Sequence, residues 1–255
     1  MTRLFQAALI ATTLCAASGA AMAQQITEQR AIDARVSRIE LGGVVELHVK
    51  QGPTASLTLS GDKRILSRVT TTQKGDVLVI DMDKVSFSWG RNDNNTVKVQ
   101  LTVPNLSELT STGVGASTLT GFSGKSITLT QEGAGSINMN GNYKFVKVRL
   151  GGVGSMKIDS GTSDEVDVSL GGAGKISISG KAKVLRASLG GLGGLDAREL
   201  HADAVDVDMS GLGGASVYAR NSANVNLSGM GSATVYGKPA QRTSNDHGLG
   251  SVTWN

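Results

Sequence analysis

One cysteine, three prolines, four phenylalanines, three tyrosines and two tryptophans are all that this 255-residue chain holds of the residues that commonly brace a fold. The single Cys15 excludes an internal disulfide. The low aromatic content, 4% of residues, argues against a broad core built on large rings. Three histidines, His48, His201 and His247, stand far apart without a second ligand at metal spacing, so no metal site is expected. No Lys/Arg block is present, and the formal charge of +4 is spread along the chain; a nucleic-acid-binding face is therefore not expected. The one long apolar run, Leu4 to Ala17, is too short for a membrane-spanning helix.

That run fits a different role. Arg3 supplies a short positive region, Leu4 to Ala17 the apolar region, and Ala21-Met22-Ala23 a small-x-small cleavage site, so residues 1–23 read as a secretory signal peptide. Cys15 lies inside it behind Leu14, where lipoprotein processing wants a small residue, so no lipid anchor is expected. Cleavage removes one Arg and no acid, leaving 25 − 1 − 21 = +3 and a new N-terminus at Gln24.

Glycine, by contrast, is abundant: 34 of 255 residues. A Gly-x-Gly step recurs eight times. The pairs are Gly113 and Gly115, Gly133 and Gly135, Gly152 and Gly154, and Gly172 and Gly174. They continue with Gly191 and Gly193, Gly211 and Gly213, Gly229 and Gly231, and Gly248 and Gly250. The steps are spaced by 20, 19, 20, 19, 20, 18 and 19 residues, and all sixteen glycines are expected as turn residues. Before and after each step the chain alternates apolar and polar, as in Val146-Lys147-Val148-Arg149-Leu150 and Ser155-Met156-Lys157-Ile158, which is the strand period. A fixed period with two short strands and a glycine turn per unit predicts an all-β, parallel β-helix of about 19-residue rungs. Crossover handedness predicts a right-handed coil. Its inward columns are expected at Leu129, Val148, Val168, Ala187, Val207, Val225 and at Ile137, Met156, Ile176, Leu195, Ala215, Ala233, Val252.

Residues 24–104 lack the regular step but remain β-like, with Lys63 to Val69 as a helical turn or two. They read as an N-terminal β-module continuous with the glycine-repeat coil of residues 105–255, the two forming one structural domain over 24–255. The opening Ile39 to Leu47, the Leu101-Thr102-Val103-Pro104-Asn105-Leu106 step and the Gly133 to Asn138 turn resemble the bacterial exported family named "putative auto-transporter adhesin head, GIN domain". The resemblance implies a β-helix that works outside the cytoplasm.

The glycines carry no nucleotide or calcium signature. No helix follows them, no Gly-Lys-Ser/Thr occurs, and the place where a calcium-binding nonapeptide needs aspartate holds Ile137, Met156, Ile176 and Leu195. The outward column Lys147, Asp167, Arg186, Asp206 alternates in sign and reads as a register-setting charge ladder. Asp206 and Asp208 share a strand face but nothing joins them. Tyr218 and Tyr236 occupy equivalent places in successive units and could form a sugar-binding platform; Trp89, in a polar loop, is a second exposed aromatic candidate. The expectation is an exported, non-enzymatic protein without a cofactor, presenting a repetitive surface to a glycan or a cell-envelope protein. The alternatives are a polysaccharide-acting β-helix enzyme and a periplasmic structural or regulatory partner. The final unit ends at Val252-Thr253-Trp254-Asn255, which predicts either end-to-end self-association or coverage of that edge by Arg242 to His247.

Overall fold

The computed structural model describes residues 25–82 and 96–255. The expected signal peptide and Trp89 lie outside the described residues. The N-terminal strands are β1 (Gln25–Arg30), β2 (Arg38–Leu41), β3 (Val45–Gln51) and β4 (Ser56–Asp62), then the helical turn α1 (Lys63–Leu66), β5 (Val69–Lys74), β6 (Val77–Met82) and β7 (Val97–Val103). After β8 (Glu108–Ser111) come six long strands: β9 (Val114–Gln131), β10 (Ala134–Leu150), β11 (Val153–Leu170), β12 (Ala173–Leu189), β13 (Leu192–Met209) and β14 (Leu212–Leu227). β15 (Met230–Tyr236), β16 (Gln241–Asp246) and β17 (Ser251–Trp254) complete the chain.

Each long strand is one whole turn of a coil. It starts just after the first glycine of a step, bends where the pairing register slips, and returns to the next glycine. The slips fall between Asn140 and Phe145, Asp159 and Thr162, and Ser177 and Gly180. Successive turns pair in parallel and in phase, Ala134 with Val153, Val153 with Ala173, Ala173 with Leu192, Leu192 with Leu212 and Leu212 with Met230. The result is a β-solenoid of about seven turns.

The two glycines of a step differ in place, which corrects the expectation that both are turn residues. The second one belongs to a strand. Gly115, Gly135, Gly154, Gly174, Gly193, Gly213 and Gly231 are the second residues of β9 to β15, and Gly250 directly precedes β17. The reason is that the residue between the glycines already bonds to the turn below, so the bend is complete at the first glycine and pairing has resumed by the second. Gly135 accordingly pairs in register with Gly115 and Gly154, and Gly213 with Gly193 and Gly231.

Alternation along each strand drives this winding. Val146, Val148 and Leu150 are buried while Lys147 and Arg149 face out. Both expected columns lie inward, from Leu129 to Val225 and from Ile137 to Ala233, with Val252 half-buried at the end. Burying one such side chain contributes about 1.5–3 kcal/mol, against ~0.2–1 kcal/mol for a cross-strand charge pair. The thin aliphatic core, rather than the surface ions, holds the turns together.

The coil starts earlier in the chain than the regular glycines indicate. β2, the Gly42-Gly43 corner and β3 form a rung directly beneath β8 and β9, with Val44 bridging to Val114. Below it, β6 and β7 pair in parallel with β2 and β3. The rung formed first is thus sandwiched between two that follow it in sequence. β4 and β5 then run antiparallel to β7 and β6, and β1 antiparallel to β4, closing the end. Arg30 ties this closure: its guanidinium donates to the carbonyls of Val69 and Leu66 and to the Thr71 hydroxyl, at 2.7, 3.3 and 3.2 Å.

Candidate functional site

The glycine corners build the most extended special surface of the molecule. At six of the eight corners one carbonyl accepts two successive N–H groups, as Leu150 does from Gly171 and Gly172, both at 3.0 Å. The residue between the glycines then donates to the first glycine of the previous turn, as Ala173 does to Gly152 at 2.9 Å. This geometry aims both glycine Cα atoms along the stack. A Cβ on Gly172 would overlap the Gly152 carbonyl oxygen, and one on Gly174, whose φ is +156°, would overlap that of Gly154. The same overlap recurs up the column of second glycines: Gly135 over Gly115, Gly193 over Gly174, Gly213 over Gly193, Gly231 over Gly213 and Gly250 over Gly231. At its foot, Gly115 lies over the Val45 carbonyl. Only glycine allows adjacent corners to close to strand spacing.

The middle residue has the opposite geometry. Its side chain is not required by the core, and it points away from the turn below. Val114, Val153, Leu192, Leu212, Met230 and Leu249 are 42–78% exposed at this position, and Ala134 and Ala173 complete the series. Eight apolar residues therefore form one outward column. Seven steps of ~4.8 Å make it about 34 Å long. Beside it runs an open groove of about 910 Å³ floored by paired glycines and lined by Ser210, Ser228 and His247, with no Asp, Glu, Lys or Arg. Isolated exposed apolar residues are ordinary; a contiguous file on one edge marks a contact surface. The reading of the glycines as turn formers overlooked this column, although the signal was in the sequence: the middle residue is Val, Ala, Leu or Met in all eight steps.

The residues singled out from sequence are distributed elsewhere. Lys147, Asp167, Arg186, Asp206 are neighbours in consecutive rungs. Lys147 meets Asp167 at 3.6 Å, whereas Arg186 bonds diagonally to Glu165 and only approaches Asp167 and Asp206. Asp208 accepts a 2.7 Å bond from Asn226, which in turn accepts one of 2.9 Å from Asn245. That ladder of amides occupies one oxygen of the Asp208 carboxylate.

Tyr218 and Tyr236 are register neighbours, half-buried, at the rim of a second hollow of about 540 Å³ with Arg198, Glu199 and Lys238. Tyr218 packs tilted against His201, ring centres 4.4 Å apart, while Tyr236 lies against Arg198. Arg198 and Lys175 both bond Asp196, at 2.9 and 3.3 Å, and hold its carboxyl down to about 2. His48 is paired with Glu46 at 3.0 Å on its own strand. Among the described residues no group of three His, Cys, Asp or Glu could hold a metal ion, and no helix is long and apolar enough to cross a membrane.

A parallel coil with glycine corners and an outward apolar file defines a β-solenoid repeat protein whose distinctive chemistry lies on its surface. The chain belongs to the family described as "putative auto-transporter adhesin, head GIN domain", whose model matches residues 35–176 and 160–239. Solved structures show the same fold. A "putative adhesin" from Parabacteroides distasonis is 18% identical over 91% of this chain and 97% of its own, with a TM-score of 0.81. One from Parabacteroides merdae is 17% identical, covering 91% and 96%, with a TM-score of 0.79. A protein called "putative lipid binding protein", also from Parabacteroides distasonis, is 20% identical, covering 91% and 96%, with a TM-score of 0.77. Among curated proteins the sequence finds no match.

Proposed function

We propose that this protein is a non-enzymatic binding scaffold of the cell exterior or envelope, exported by its N-terminal segment, and that it adheres through the file of apolar residues at its glycine corners. One observation carries this reading: eight successive rungs place an apolar side chain outward at the same point, where neither core nor turn requires one. Such a surface fits an extended apolar partner laid along the coil axis, and each rung adds a small equal increment to the affinity. Family membership supports an adhesive role.

The test is binding of the purified protein to intact bacterial cells, compared with a double variant carrying Leu192→Glu and Leu212→Glu. Two carboxylates mid-file should weaken binding at least about tenfold while lowering the melting temperature only slightly, since neither side chain is part of the core and the cost is the repulsion between two exposed like charges on neighbouring strands. Undiminished binding by a folded variant would remove the apolar file from the mechanism.

The uncharged lining of the groove favours a second reading, in which the occupant is a single acyl chain. The relative called a lipid-binding protein has this fold. Partition onto neutral phospholipid vesicles, lost in the same variant, distinguishes that case from protein adhesion.

A further inference from the structure

The β16 end of the coil carries a self-complementary charge pattern. β16 adds in parallel to β14, so Arg242, Ser244 and Asp246 continue the columns of the buried Ala223, Val225 and Leu227. At β16 the apolar columns thus give way to a cation, a hydroxyl and an anion. All six residues of β16 are exposed, and β14 is its one strand partner among the described residues. Arg242 is held in place: its guanidinium lies 5.7 Å over the Trp254 ring, and its Nε donates to the Pro239 carbonyl at 2.8 Å.

We infer that this end is the contact between two copies of the chain, related by a two-fold axis at Ser244 and pairing β16 with β16 in antiparallel register. Centred there, the register sets Arg242 opposite Asp246 of the second copy, and Asp246 opposite its Arg242. On the outward face Thr243 falls opposite Asn245, twice. Asn245 uses its amide nitrogen on Asn226, which leaves its carbonyl oxygen to accept a bond from the threonine hydroxyl. Every polar group brought together in this way has a complement.

Inward charges normally block an edge strand, because a foreign apolar strand would bury them unpaired. Here the block has one exception, a second copy of the same strand. Charge pairing across a contact selects the partner and register more than it adds affinity, so the association is specific and modest. At the opposite end Arg30 spends its guanidinium within its own chain on Val69, Leu66, Thr71 and Glu28. Tail-to-tail pairing uses the same patch on both copies and closes on itself, so growth stops at two.

Sedimentation velocity of the purified protein over a concentration series tests this. A reversible monomer–dimer equilibrium with no larger species is expected. Asp246→Arg and Arg242→Asp should each weaken the dimer at least about tenfold, with circular dichroism melts confirming that both fold. An equimolar mixture of the two variants should form a heterodimer, because each then presents the charge that the other lacks. If Arg242→Asp unfolds through loss of its contact with Trp254, Asp246→Arg alone decides. A wild type that is monomeric at every concentration, a dimer indifferent to Asp246→Arg, folded variants that fail to pair, or open-ended polymers would each overturn the inference.

Discussion

The buried hydroxyl of Tyr143 donates a 2.8 Å hydrogen bond to the carbonyl of Leu106, fastening the second glycine-repeat turn to the segment that leads from the N-terminal strands into the coil. Burial pushes this phenol well above its ordinary range. Tyr143→Phe keeps the ring but leaves the Leu106 carbonyl without this donor, and should cost about 1–2 kcal/mol, read from urea unfolding. Alkaline titration followed by absorbance should show one of the three tyrosines of the wild type ionising only on unfolding.

Glycine corners and the residues between them should respond oppositely to added bulk. Gly172→Ala drives a methyl into the Gly152 carbonyl and should destabilise by about 3 kcal/mol. Ala173→Val, one residue away, enlarges an outward side chain in a column that already holds Val153 and Leu192, and should stay within about 0.5 kcal/mol of wild type. Paired thermal melts check both.

Gln131 is 1% exposed, and neither its Nε2 nor its Oε1 has a hydrogen-bond partner. It stands in a column with Ser111 below and Leu150 above. Gln131→Leu continues that column with an apolar group and removes two buried polar atoms, so it should stabilise by about 1 kcal/mol. Urea midpoints at unchanged slope would verify it.

Asp196 governs part of the acid response. Hydrogen bonds from Arg198 and then Lys175 lower its folded pKa to about 2, whereas an unfolded aspartate titrates near 3.9. The charged form is favoured in the folded state, so its contribution is complete above about pH 4 and is lost as the pH falls toward 2. Asp76, held to about 2 by Arg38, acts in the same direction. Melting temperatures between pH 5 and pH 2 should fall less steeply for Asp196→Asn than for wild type.

The coil was readable because its periods are local. Alternation placed Val148, Val168 and Ile176 inward, and glycine spacing placed the corners, with no long-range knowledge. Spacing alone did not separate the bend at Gly191 from the strand position at Gly193, because only the bond from Leu192 to the turn below marks where pairing resumes. The corner at Gly42-Gly43 was not readable, because it stacks under Gly113, seventy residues on, after β4 to β7 have been inserted. Spacing cannot reveal a neighbour that the chain reaches by a detour. Side-chain choices were also hidden. Register put Arg186 between Asp167 and Asp206, but a long guanidinium can reach diagonally and bonds Glu165. His201 joins the tyrosine column only because the register slips between Ala197 and His201, which brings it beside Tyr218. At the far end, Arg242 to Asp246 do not fold over the last rung; they form β16, part of that rung.

The sandwiching of the β2–β3 rung sets a timetable. As the chain emerges N-terminus first, that rung has no parallel neighbour until β6 and β7 arrive, so β2, β3, β6 and β7 must close together as one cooperative seed. Thereafter each newly delivered turn finds a finished template and zips onto it, one layer at a time. Growth is vectorial, running from that seed toward β17, with its slow step confined to the start.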